Sequence, residues 1–181
     1  MEQLYESNFY ICGMQHIPYL GATAIRNLIE TYGGPFEAWC ALQDRNKLKA
    51  IIGIQPKKIP AIMKAATQES LAHLHNVLEK YHITWITYLD MLFPARLQEI
   101  YNPPAVIFVR GNIDLLKDET FKIAMVGARH CSDYGRNVAR YLGRELSNYD
   151  VAIVSGGARG IDSHSHEGAL ANNGQVIIVL G

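Results

Sequence analysis

Two periodicities divide this chain. From Tyr19 to about residue 80 apolar residues recur at helical spacing: Leu20, Ala24, Leu28 and Ile29 share one face, and Phe36, Trp39 and Leu42 share the next. Between them Tyr32-Gly33-Gly34-Pro35 stops one helix and starts another, since glycine suits a helix end and proline its first position. Residues 59–80, with Ile62, Ala66, Leu71, Leu74 and Leu78, read as one longer amphipathic helix. Around residue 83 the pattern changes to strands. Ile83 to Tyr88 and Ala105 to Val109 are rich in β-branched and aromatic residues, with a short helix from Pro94 to Ile100 between them. Then come a strand Lys122–Val126, a helix from Ser132, a strand Val151–Val154, a helix from about Ile161 to Ala171, and a strand Val176–Leu180. Strand, helix, strand, helix, strand is a parallel α/β unit, and its continuous apolar strands predict a sheet covered on both faces. The pattern thus separates helical residues 1–82 from α/β residues 83–181. In the helix after Ser132, Val138, Tyr141, Leu142 and Leu146 are expected to form the buried stripe. Arg136, Arg140 and Arg144, spaced by four, form a second stripe that reads as a solvated face.

The chemistry concentrates where strands end. In an open parallel sheet ligands bind beyond the carboxyl ends of the strands. Two turns lie there: Val126-Gly127-Ala128-Arg129-His130-Cys131-Ser132 and Ser155-Gly156-Gly157-Ala158-Arg159-Gly160. Their glycines allow close backbone approach, the following helices present N–H groups, and each turn carries one arginine. The first turn lacks the GxGxxG spacing of a dinucleotide fold, and the second lacks the Gly-Lys-Ser/Thr of a triphosphate loop. What remains suits a phosphodiester held without chemistry. Ser132 is placed to cap its helix, with Asp133 favouring the positive end of the dipole. Asp162 and His166 share a helix face but lack a third metal ligand, so Asp162 is expected to satisfy backbone donors near the turn and His166 to pack behind it. Ser155 has neither a GxSxG elbow nor an assignable triad partner.

Composition narrows this further. The 181 residues are 49% hydrophobic and 19% charged, enough for a real core. Lys plus Arg and Asp plus Glu are 17 each, so any nucleic-acid site must be a local patch. After Lys122 the only Lys or Arg residues are Arg129, Arg136, Arg140, Arg144 and Arg159, and Arg suits bidentate phosphate contacts. Cys12, Cys40 and Cys131 are odd in number and far apart, which predicts reduced thiols. There is no signal-peptide pattern and no membrane-spanning apolar run, so a cytoplasmic chain with no membrane partner is expected. No cofactor is expected either. In the helical half, Pro18-Tyr-Leu-Gly21 and Ile52-Gly53-Ile54 look like helix-hairpin-helix turns, although turns between packed helices is the favoured reading.

Together these segments resemble the DNA-processing protein A (DprA, also called Smf) family. The resemblance rests on Val126-Gly-Ala-Arg129, Ser132-x-Tyr-Gly135, Ile153-Val-Ser-Gly-Gly-Ala-Arg-Gly-Ile-Asp162 and His166-x-Gly-Ala-Leu170. Upstream, Phe93-Pro94-x-Arg-Leu97, Ile100, Pro103-Pro104 and Ile107-Phe-Val-Arg-Gly-Asn112 look like the family's lead-in. It implies a small sterile-alpha-motif-like or helix-hairpin-helix-like domain followed by a Rossmann-like parallel sheet. It also implies sequence-independent binding of single-stranded DNA, loading of the RecA recombinase during natural transformation, homodimerisation of the full-length form, and no enzymatic activity. By motif, Arg129 and Arg159 would be the cationic contacts, with Gly127, Ser132, Ser155, Gly156, Gly157 and Gly160 shaping the DNA-binding pocket. Since the family continues with further strands and another basic residue, the chain is expected to be an N-terminal portion that binds DNA weakly and does not form the family's dimer. Two other readings stay open: a Rossmann-like nucleotide or nucleoside phosphate hydrolase using Asp162 or Glu167, and a helical adaptor for a protein partner.

Overall fold

The computed structural model describes residues 3–180, which form two compact units divided between Ile113 and Asp114. In the first unit, α1 (Phe9–His16) buries every residue from Phe9 to Met14, and α2 (Ala22–Tyr32) buries Ala24, Ile25, Leu28 and Ile29. Gly33 ends α2 in the left-handed region at φ 86°, its N–H bonding Ile29 O, and Pro35 opens α3 (Pro35–Ala41). The short α4 (Arg45–Lys49) is capped by the Asp44 carboxylate, which accepts from the Asn46 and Lys47 amides. The hairpin-like turns join α1 to α2 and α4 to α5 (Ile59–Ala65), with Tyr19 at φ 67° and Gly53 at φ 97°.

The long helix expected over residues 59–80 is two helices. The first, α5, ends where Ala66 turns to ψ 68°, and α6 (Gln68–Lys80) begins again at Thr67. Thr67 Oγ1 accepts from the Ser70 amide and Ser70 Oγ from the Thr67 amide, a reciprocal cap. Serine holds the place usually taken by Glu or Gln, so the restart was hidden beneath an apolar spacing that continues across the break.

The strands β1 (Thr84–Thr87) and β2 (Val106–Val109) pair antiparallel, with the short α7 (Ala95–Gln98) between them. They belong to the helical unit. Ala105 and Val106 are buried in its core, Ile83, Trp85 and Tyr88 pack against it, and Arg26 lies 3.8 Å from the Tyr88 ring centre while donating to Pro104 O. The local pattern changes at residue 83, whereas packing changes at residue 113.

The second unit is β3 (Lys122–Ala124), α8 (Asp133–Leu146), β4 (Ala152–Ser155), α9 (Ile161–Leu170) and β5 (Gln175–Ile178), a parallel sheet in the order β3-β4-β5. The fold is therefore mixed α/β, with helices, an antiparallel pair and a parallel sheet. Helices α8 and α9 pack against each other on one face of this sheet, as right-handed crossovers in a single direction require. There Ile153, Ala169, Met125, Leu146 and Val176 form the unit's core. By alternation Ala124, Val154 and Ile177 face the other way, and Ala124 is exposed. Ala152, on that same face, is fully buried, while all three residues of the edge strand β3 are exposed.

The buried stripe of α8 also differs from the expected one. Tyr141 and Leu142 are exposed, while Ala139 and Gly143 are buried. Helices α8 and α9 touch through backbone: a Cβ on Gly143 would collide with Ser165 O, and one on Gly168 with Arg140 O. Small residues mark this face, and a search for large apolar side chains passes over them. Among the described residues no helix is long and apolar enough to cross a membrane.

Gly168→Ala is therefore expected to destabilise the second unit by about 1–3 kcal/mol. Amide hydrogen exchange in α8, α9 and β4 should accelerate by roughly tenfold for each 1.4 kcal/mol lost.

Candidate nucleic-acid interface

Strands β3 and β4 lie side by side in register, Ala124 opposite Val154, so the turns that follow them emerge at the same edge. Their contact is intimate. A Cβ at Gly127 would lie 2.7 Å from Ile161 Cγ1, and one at Gly160 would collide with the Ala128 carbonyl. Gly160 also holds φ 90°, a conformation that side chains other than glycine's resist. Across the contact Gly127 N–H donates to Asp162 Oδ1 at 3.2 Å, and Ile161 N–H to Ala128 O at 3.3 Å. Asp162 is 6% exposed, so its carboxylate is a buried tie between the turns.

The remaining residues of the second turn shape it. Ser155 is buried and its Oγ accepts from the Gly157 amide at 3.2 Å. Gly157 has φ 65°, and a Cβ there would meet Ile178 Cγ2 at 2.7 Å. Gly156 is exposed. Ser132 caps α8, its Oγ accepting from the Gly135 amide at 3.2 Å.

The start of α9 is less open than the sequence suggests. Two of its first three amides have acceptors within the protein, Ile161 on Ala128 O and Ser163 on Ala158 O. Asp162 adds a negative charge in the same turn. Free donors lie instead along the turns: among the described residues the amides of Ala128, Arg129, Gly156, Ala158 and Arg159 donate to no protein acceptor. Arg129 and Arg159 are exposed, and among the described residues neither guanidinium has an ion pair, hydrogen bond or stacked ring.

The arginines of α8 differ. Arg136, the one placed nearest the site, is paired with Asp133, and Arg140 with Glu167 at 2.7 Å. Glu167 also accepts from His164 at 2.9 Å, and the hydrogen bonds from His164 and Arg140 hold its carboxyl below the ordinary value. This pairing of α8 with α9 was not visible in sequence, where Glu167 lies 27 residues from Arg140. Behind the turn His166 is buried and its Nε2 has no hydrogen-bond partner among the described residues. Burial pushes its pKa below 6.5, against the Ile153 backbone and the Asp162 charge, which pull it up.

That shift sets a pH dependence. Folded His166 stays neutral where the unfolded chain's histidine takes a proton, so the unfolded state binds more protons and stability falls as pH drops through about 6.5. It levels off only below the folded value. The urea midpoint of His166→Gln is expected to depend less steeply on pH between 7.5 and 5 than that of the parent.

Residues 84–181, more than half of the chain, match the family profile of DNA recombination-mediator protein A. The DNA processing protein DprA of Streptococcus pneumoniae is 41% identical over 123 residues, covering 67% of this chain and 42% of that protein. The protein of the same name from Bacillus subtilis is 35% identical over 123 residues, 66% of this chain and 41% of its own length. The chain thus spans about two fifths of these relatives. The crystal structure of DprA from Streptococcus pneumoniae superposes with a TM-score of 0.72 at 29% identity, over 98% of this chain and 58% of that one. The profile match takes in both glycine turns and the Asp162 tie between them, and the chain belongs to the DNA recombination-mediator protein A (DprA/Smf) family.

Proposed function

We propose that this chain captures single-stranded DNA without regard to sequence, holding phosphates along the strand-end edge of its second unit. The observation that carries this reading is the pair of exposed guanidiniums, Arg129 and Arg159, unpartnered among the described residues, on turns tied to each other and lined with amides that find no acceptor among those residues. Such an edge offers charge-assisted donors to a phosphodiester and no contact that reads a base edge. The carboxylates that a hydrolase would need are otherwise engaged: Asp162 Oδ1 on the Gly127 amide, Glu167 on Arg140 and His164. Binding without turnover is therefore favoured.

Within the cell the same reading makes the chain part of a cytoplasmic DNA-processing and recombination apparatus. There it protects incoming single strands and loads the RecA recombinase during natural transformation, as a dimer in the full-length form. Family membership supports these roles, and they are proposed on that ground.

Arg129→Ala and Arg159→Ala are each expected to weaken binding of an oligothymidylate several-fold. Each should also lower the slope of log affinity against log salt by about 0.7, the value for one single-strand phosphate. Affinities unchanged in both variants across two salt concentrations would remove the assignment.

A further inference from the structure

Phosphate contacts use the arginines and the free amides but leave unused an exposed aromatic ring at the start of the helix that follows the first turn. Tyr134 is the second residue of α8, two past the cap Ser132, and it is 79% exposed. Its neighbours are held. Ser132 Oγ holds the Gly135 amide, Asp133 pairs with Arg136, and Gly135 backs onto Ile161, whose Cδ1 lies 3.4 Å from where a Cβ would sit. Ile161 also packs against Gly127 and follows Arg159 by two residues. The first turn, the second turn and the start of α8 therefore converge on one side chain. Among the described residues the Tyr134 ring has no ring partner, no cation and no hydrogen bond, whereas Tyr10, Tyr32 and Tyr88 in the first unit are engaged.

We propose that Tyr134 is a nucleobase-stacking residue of the strand-end site, so that the site grips a strand by a base as well as by phosphates. This rests on the single-stranded DNA reading and adds its selectivity. Every base has a π face, so stacking on an exposed ring tolerates any sequence. In a duplex those faces are already occupied by neighbouring bases. A ring on the helix that follows the first turn therefore favours single strands, which the turns alone, recognising phosphate, do not.

The test compares an oligothymidylate with an abasic phosphodiester strand of equal length, binding to the chain and to its Y134A, Y134F, Y149A, R129A and R159A variants. Tyr149, also strongly exposed but beyond the far end of α8, is the control. Y134A is expected to weaken oligothymidylate binding by roughly 5- to 100-fold, the range for one lost base–ring stack. It should leave abasic-strand affinity and the salt slope unchanged. Y134F should bind as the parent does, as should Y149A. Unaltered binding by Y134A, an equal loss on the abasic strand, or an equal loss in Y134F or Y149A would overturn the proposal. Loss in R129A and R159A without loss in Y134A removes the stacking and keeps the phosphate reading. The reverse pattern keeps the stacking and removes the phosphate reading, and absence of binding by the parent removes both.

Discussion

The second unit depends on how closely its backbone segments approach one another at the strand ends. Gly127 and Gly160 are the residues that permit it: any side chain at the first would meet Ile161, and any at the second the Ala128 carbonyl. Once the turns touch, the Gly127 amide and the Asp162 carboxylate find each other, and a buried charge gains a donor that it would otherwise lack. The same requirement recurs behind the turns, where Gly143 and Gly168 bring α8 and α9 into backbone contact. Position of the arginines follows from these approaches. Among the described residues neither Arg129 nor Arg159 is held by a partner of its own; the turn beneath each one positions it.

This arrangement also sets where an anion can sit. Asp162 places a negative charge between the turns, and the Ala128 and Ala158 carbonyls take up amides at the start of α9. The helix end is thereby partly neutralised by the protein itself. Donors that stay free lie outward, on the amides of the turns and on the two guanidiniums, which suits a polymer running past the edge better than a nucleotide seated within it. On α8, by contrast, Arg136 and Arg140 are neutralised by Asp133 and Glu167, so the arginine stripe is no extension of the track at those positions. Free positive charge near the edge thus comes from the turns.

The sequence showed the parallel unit, both turns and the cap at Ser132 because each has a local signature: apolar strand runs, glycine clusters, and an oxygen-bearing residue before a helix. Asp162 as a backbone acceptor and His166 as a packed residue were also legible, since Asp162 follows directly on a glycine turn. Two features were not. The Ala139–Gly143 stripe escaped because small residues carry little hydrophobic signal, although backbone contact is where they matter most. The break at Ala66 escaped because apolar spacing runs straight through it and the Thr67–Ser70 cap uses an unusual partner. The first miss comes from backbone contact between helices, the second from a local cap that interrupts a continuous apolar spacing.

The central claim is that the two turns act as one anion-binding edge. Amide chemical shifts followed while an oligothymidylate is added to the chain test it most directly. The account predicts that the largest changes fall together on residues 127–132 and 155–160 and titrate with a single affinity. Changes confined to residues 3–113, or to one turn with the other silent, would contradict it.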